Sequence, residues 1–199
     1  MLENLNRYRI ILASQSPRRR ELLSGLGLDF EVRVLTDVDE HYPADLPVAE
    51  IPLYIAGRKA EAYRATMAED ELIITADTVV VLGTEVLGKP ADLADARRML
   101  RALSGRTHQV MTGVCLLSRE KERRFVVTTD VTFKELSDEE ILYYTERYRP
   151  LDKAGAYGIQ EWIGYVGVER IEGSFFNVVG LPVQQLYRNL KQHFNIIVK

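Results

Sequence analysis

Two hydrophobic rhythms alternate along this chain, and its longest apolar run orders the rest. Residues 72–82 (Leu-Ile-Ile-Thr-Ala-Asp-Thr-Val-Val-Val-Leu) are long and β-branched enough for a central strand, with Asp77 as the one charged interruption. Residues 8–12 read as a short strand, and 29–34 alternate as a half-buried one. Residues 107–117 and 125–134 form two further strands. The short charged turn 118–124 between them predicts an antiparallel pair. Residues 166–171 add another strand, and 196–198 a terminal edge strand. Between these lie helical patterns. Leu22, Leu23 and Leu26 give one apolar side, and Leu53, Ala56, Ala60 and Tyr63 give a second within 49–67. Ala96, Met99, Leu100 and Leu103 give a third, and Leu186, Leu190 and Phe194 the last. Strands and helices that mingle in this way, with some hairpins, predict an α/β fold: a mixed β-sheet with flanking helices.

Local punctuation supports these boundaries. Ser16 suits an N-cap with Pro17 at the first helical position, and Gly25 or Gly27 offers a stop. Pro52 is tolerable only in a first turn. Residues 83–86 suit a hairpin turn, and Asp92 with Asp95 resembles a helix start. Ser137 followed by Glu140 is a capping box that opens the helix 138–147, closed by Arg149-Pro150. Residues 152–160 are small and glycine-rich and predict a close-fitting loop, and 172–177 predict a turn.

Length and composition narrow the class. The 199 residues suggest one domain, 1–199, made of two intimately joined parts, with an apolar fraction of 46% for the core. A net charge of −3 offers no broad polyanion-binding surface, which disfavours nucleic-acid polymers but not small phosphorylated ligands. The one cysteine, Cys115, falls in an apolar strand and rules out a disulfide-stapled fold. The first residues lack the basic flank and apolar core of a signal peptide, and no apolar stretch is long enough to span a bilayer. A cytoplasmic protein without membrane partners is expected. His41, His108 and His193 have no zinc-site spacing, and neither a P-loop nor a Gly-x-Gly-x-x-Gly fingerprint is present.

Two places carry candidate chemistry. The stretch from Ser14 to Arg19 runs from a strand through a small polar loop into a helix N-terminus. Unpaired amides there attract anions, with Ser14, Ser16, Arg18 and Arg19 beside them. The plainer reading is ordinary capping with arginines facing water. The second place is Asp77, because a carboxylate in an apolar strand is costly unless paired, hydrogen-bonded or metal-bound. Thr75 and Thr78 are structural partners within reach. Asp37, Asp39 and Glu40 make either a solvated turn or a carboxylate offered to a hard cation. Lys59 on its helix reads first as a lysine snorkelling to water, and Lys89 sits on a loop stiffened by Gly88 and Pro90.

Taken in order, several segments resemble the Maf family of nucleoside triphosphate pyrophosphatases. They are Leu12-Ala13-Ser14-Gln15-Ser16-Pro17-Arg18-Arg19, Val38-Asp39-Glu40, Ala56-Gly57-Arg58-Lys59-Ala60 and Ala76-Asp77-Thr78-Val79-Val80. Next come Leu87-Gly88-Lys89-Pro90, Leu103-Ser104-Gly105, Thr112-Gly113-Val114, 154–160 and 177–182. The resemblance implies an elongated, two-lobed Maf/ITPase-like architecture with a central cleft, and a homodimer is compatible with it. It implies hydrolysis of a nucleoside triphosphate to the monophosphate and pyrophosphate with a divalent cation, Mg²⁺ or Mn²⁺. Ser14, Arg18, Arg19, Lys59 and Lys89 would cradle phosphates, with Lys89 also counted in the catalytic set. Glu40 and Asp77 would serve catalysis and the metal, and Arg18, Thr78 and Gln160 would help select the nucleotide. Ala76-Asp77-Thr78 and Tyr157-Gly158-Ile159-Gln160 resemble the branch acting on dTTP and UTP. The alternatives are a modified nucleotide such as 7-methyl-GTP, or a non-enzymatic nucleotide-binding role linked to cell division.

Overall fold

The computed structural model describes residues 2–3, 8–36, 38–195 and 197–198; Asp37 of the acidic turn and Ile196 of the terminal strand lie outside them. In chain order the elements are β1 (Leu2–Glu3), β2 (Arg9–Leu12), α1 (Pro17–Ser24), β3 (Phe30–Val32), α2 (Ile51–Glu61), β4 (Glu71–Leu82) and β5 (Glu85–Leu87). They continue with α3 (Leu93–Leu103), β6 (Thr107–Leu117), β7 (Glu122–Phe133), α4 (Asp138–Tyr148), α5 (Trp162–Gly167), β8 (Val168–Glu172), α6 (Phe175–Val179), α7 (Val183–Phe194) and β9 (Ile197–Val198). Single 3-10 turns at Val48–Glu50 and Ala154–Ala156 precede α2 and follow α4.

The main sheet is open and mixed, in the order β3-β2-β4-β6-β7-β8, with β5 paired to β4. β2 runs parallel to both β3 and β4, in register Ile10 with Phe30 and with Leu72, whereas β5 returns antiparallel to β4. The side-chain pairs Thr107–Thr132 and Gln109–Asp130 run in opposite senses along β6 and β7, the antiparallel hairpin expected of their short connection. β1 and β9 pair antiparallel as a separate ribbon.

The chain divides into two compact units. Among the described residues, the first comprises those up to Asp77, Thr112–Val127 and those from Gly180 onward; the second comprises Thr78–Met111 and Thr128–Val179. In the first unit, one apolar layer joins Ile10, Leu12, Leu72 and Ile74 to Leu181, Leu186 and Leu190 of the α7 region. A second layer joins Ile11, Ile73, Cys115 and Leu117 to Ala56, Ala60 and Tyr63 on α2. β2, the first half of β4 and the second half of β6 are covered on both faces here, so their residues are almost continuously apolar. Burial drives the Cys115 thiol pKa up to about 12, as suits a buried strand residue.

Caps and helix faces match their sequence signals. Ser16 accepts the Arg19 amide with Pro17 in the first turn, Asp92 accepts the Asp95 amide, and the Ser137–Glu140 capping box is complete. The second helix is shorter than its periodicity predicts and ends at Glu61. Strand β3 covers only three residues and leaves Val32 exposed. Two regions differ in kind. Residues 166–167, expected in a strand, finish the helix α5, and β8 begins only at Val168; residues 175–177, expected in a turn, belong to α6. Both helices are too short to develop a 3.6-residue period, and Val166, Val168 and Ile171 carry strong β preference.

Candidate active site

In the first unit, the placement of α2 on the sheet is set by close approach. A Cβ on Gly113 of β6 would lie 2.4 Å from the Pro52 carbonyl carbon and oxygen and from the Leu53 nitrogen, so only glycine admits the first turn of α2 there. Further along, Thr75 donates its hydroxyl to the Ala56 carbonyl at 2.7 Å. Tyr63 donates to the Arg33 carbonyl at 2.7 Å and accepts the Leu35 amide at 3.0 Å.

This anchoring brings Lys59 against β4. Its ammonium lies 2.9 Å from Asp77 Oδ1 and 3.1 Å from Glu40 Oε1, with side-chain exposures of 17% for Lys59, 15% for Asp77 and 55% for Glu40. Two expectations are corrected here. Lys59 is the counter-ion of two carboxylates rather than a lysine extended into water. Thr75 does not satisfy Asp77, because its one hydroxyl hydrogen is committed to α2. The pairing was invisible in the sequence because it joins residues 18 positions apart on different elements.

The loop from β2 to α1 meets the same strand. Arg19 donates from its Nη1 to the Ala76 carbonyl at 2.9 Å and from its Nε to the Gly180 carbonyl at 2.8 Å. Ser14 accepts the Ser16 amide at 3.2 Å and Arg19 Nη1 at 3.4 Å, and is itself buried. Burial pulls the Arg19 pKa below its ordinary value and Arg18 adds to that, while Asp77 and Glu40 act in the opposite direction. Arg19 is thus a cation among anions and also a brace, tying the Ser14 loop to the residue preceding Asp77. Arg18 follows on the same helix and is half-buried.

Three residues of the expected set belong to the second unit. Thr78 follows Asp77 on β4 and is half-buried; Lys89 and Gln160 are exposed. Within this unit, the Lys89 loop and the glycine-rich segment are joined by a bond from the Gly155 amide to the Gly88 carbonyl at 3.1 Å. Gly155 has φ +66°, and a Cβ there would meet Val80 at 2.9 Å, so both backbone shape and space call for glycine. Lys153, which the sequence suggested only as part of this loop, is buried, with its ammonium 2.7 Å from Asp152 and 3.1 Å from Glu161.

The residues near Asp77 suit a divalent cation. Two carboxylate oxygens already converge on one positive charge, and one or two carboxylates completed by water and substrate phosphates is the usual protein share of a Mg²⁺ site. Among the described residues no group of three or more His, Cys, Asp or Glu side chains could hold a metal by itself.

The Maf-like protein family model matches residues 9–193. The chain belongs to the Maf family. Among its relatives, a protein of Parabacteroides distasonis named "dTTP/UTP pyrophosphatase" is 62% identical over 98% of this chain and 100% of its own length. Proteins of the same name from Phocaeicola vulgatus (63% identical, 96% of this chain, 100% of the relative) and Porphyromonas gingivalis (60%, 96% and 97%) are similarly alike. A HAM1 protein structure from Coxiella burnetii matches 63% of this chain and 73% of its own at 17% identity and a TM-score of 0.41, a likeness too low to argue from. Family membership implies a requirement for a divalent metal. No described helix is long and apolar enough to cross a membrane.

Proposed function

We propose that this Maf-family chain is a hydrolase that converts dTTP and UTP to the monophosphate and pyrophosphate. The observation that carries the reading is the cluster in which Lys59 joins Asp77 to Glu40, with Arg19 tied to the neighbouring Ala76 carbonyl. It offers carboxylates for water and metal beside cations for phosphate. The names of the relatives supply the pyrimidine preference.

Asp77 sits on a central strand of the sheet, the most rigid support available, and it orients the attacking water and takes its proton. Glu40 lies in the segment between β3 and α2, outside the helices and strands. A bound Mg²⁺ or Mn²⁺, held by Asp77 and Glu40, would supply charge neutralisation and a more acidic water. Lys59, Arg18 and Arg19 balance charge on the phosphates, arginine by paired N–H contacts and lysine as a compact charge. Lys89, Thr78 and Gln160 enter as substrate-binding residues through the family resemblance. Lys89 would offset charge on the departing pyrophosphate, and Thr78 and Gln160 would meet the polar edge of the base. The reading includes a cytoplasmic location and the absence of nucleic-acid polymer or membrane partners; a homodimer is compatible with it.

The test is pyrophosphate release from dTTP, UTP, dATP and 7-methyl-GTP, with Mg²⁺ or Mn²⁺ and with chelator. Metal-dependent turnover led by dTTP and UTP is expected. Turnover led by 7-methyl-GTP would transfer the chain to the modified-purine reading, and a flat panel from folded protein would overturn the enzymatic one.

A further inference from the structure

Gln160 occupies an unusual position in the second unit: its own side chain is exposed, while the chain on both sides of it is fixed by buried groups. Before it, the buried Gly158 amide donates to the Tyr144 hydroxyl at 3.0 Å. After it, the same hydroxyl donates to Glu161 Oε2, and Glu161 Oε1 pairs with the buried Lys153 ammonium at 3.1 Å. Lys153 is in turn held by Asp152 at 2.7 Å. One phenol on α4 therefore links residues 158 and 161 directly, across Gln160.

The surrounding packing leaves the segment little freedom. The Glu161 amide donates to the Gly158 carbonyl at 2.9 Å, which closes a tight turn around Gln160. A Cβ on Gly164 of α5 would lie 1.9 Å from the Ile159 carbonyl oxygen, so α5 sits directly on the residue preceding Gln160. Tyr157 is bonded to the buried His108 at 2.7 Å. Tyr144 itself is completely buried and stacks on Tyr148 at 5.1 Å. Its hydroxyl does more than satisfy its own burial, because it takes one bond from the chain before Gln160 and makes one to the side chain after it.

We propose that Tyr144, acting through Gly158 and Glu161, is the positioning residue that aims Gln160 and thereby sets base preference. This rests on the reading of Gln160 as a base-contacting residue, and the test separates the two. Tyr144→Phe keeps the ring and its stacking and removes only the hydroxyl. Kinetics are measured for dTTP and dATP with wild type, Tyr144→Phe, Gln160→Ala and the double variant, as full-length metal-loaded protein. Losing one aimed hydrogen bond to the base changes discrimination by about tenfold, the equivalent of about 1.4 kcal/mol. The expected result is a drop of that order in the dTTP:dATP ratio of kcat/KM for each single variant. It appears mainly as a higher KM for dTTP with kcat retained, and the double variant is no worse than Gln160→Ala. General damage to the fold would instead lower kcat for both nucleotides and multiply in the double variant, which double-mutant analysis resolves.

Wild-type preference in Tyr144→Phe, with altered preference in Gln160→Ala, overturns the positioning role and leaves the Gln160 reading standing. Wild-type preference in Gln160→Ala overturns the Gln160 reading and the proposal with it, whatever Tyr144→Phe does. Multiplying losses in the double variant also overturn the proposal, because two independent effects would not pass through one side chain.

Discussion

Strand β4 carries two acidic residues of low exposure, Glu71 at its start and Asp77 at its middle, and their surroundings could hardly differ more. Glu71 is saturated. Its side chain is 2% exposed and receives Arg33 from 2.6 and 3.0 Å, Arg9 from 2.8 Å and the Ala68 amide from 3.0 Å. Asp77 is 15% exposed and meets a lysine that is shared with Glu40. A carboxylate whose oxygens are filled by bidentate arginine and backbone is fixed as part of the scaffold. One met by a compact, movable ammonium can exchange that partner for a metal or a water, and the ammonium can turn to a phosphate. How each charge is paired, more than its burial, distinguishes the two residues.

Replacing each residue by its amide sharpens that contrast. Asp77→Asn keeps the shape and removes the proposed proton acceptor, so kcat for pyrophosphate release from dTTP should fall by about 10³-fold, with the melting temperature little changed. Near-normal turnover by a folded Asp77→Asn variant would sink its catalytic assignment. Glu71→Gln should do the reverse. Breaking this pair, in which the carboxylate is buried but the arginines are partly exposed, should cost about 2 kcal/mol of stability, read by urea unfolding, while the folded fraction keeps its kcat. A Glu71→Gln variant as stable as wild type would show that the arginine pairing contributes nothing net.

The same pairing predicts a smaller effect in acid. The Arg33 hydrogen bonds hold the Glu71 carboxyl below its ordinary 4.5, against the opposing cost of burial. The unfolded chain therefore binds this proton more readily than the folded one. The contribution of Glu71 is complete above the ordinary value and lost as pH falls through the folded one. The stability gap between wild type and Glu71→Gln should accordingly narrow as pH falls below the ordinary 4.5 and through the folded value. A constant gap would remove the electrostatic explanation.

The contrast also marks what the sequence could reveal. Asp77 stood out because it interrupts an apolar run, but Glu71 stands just before that run and drew no notice. Nothing local distinguishes a strand end from a buried ion pair whose arginines lie 38 and 62 positions away. Ser16, Asp92 and the Ser137–Glu140 box were legible because capping is decided within three residues. Strands β2, β4 and β6 were legible because burial imposes nearly continuous apolar character, whereas the more exposed start of β5, Glu85 and Val86, read as part of a turn. The helix over residues 162–167 was not, since a six-residue helix held by contacts such as Gly164 on Ile159 leaves no periodic trace. Lys59 could be named from a motif, but its counter-ions belong to other elements. The brace around Gln160 was hidden for the same reason, because Tyr144 lies on α4 and reaches the segment only through the fold.

The most direct test of the central claim is turnover of dTTP in ¹⁸O-enriched water with the metal present. Water aimed at the α-phosphorus by the Asp77 cluster places the label in the nucleoside monophosphate and none in pyrophosphate. Label in pyrophosphate, or release of inorganic phosphate from a single turnover, would put the attack at a different phosphorus and contradict the account.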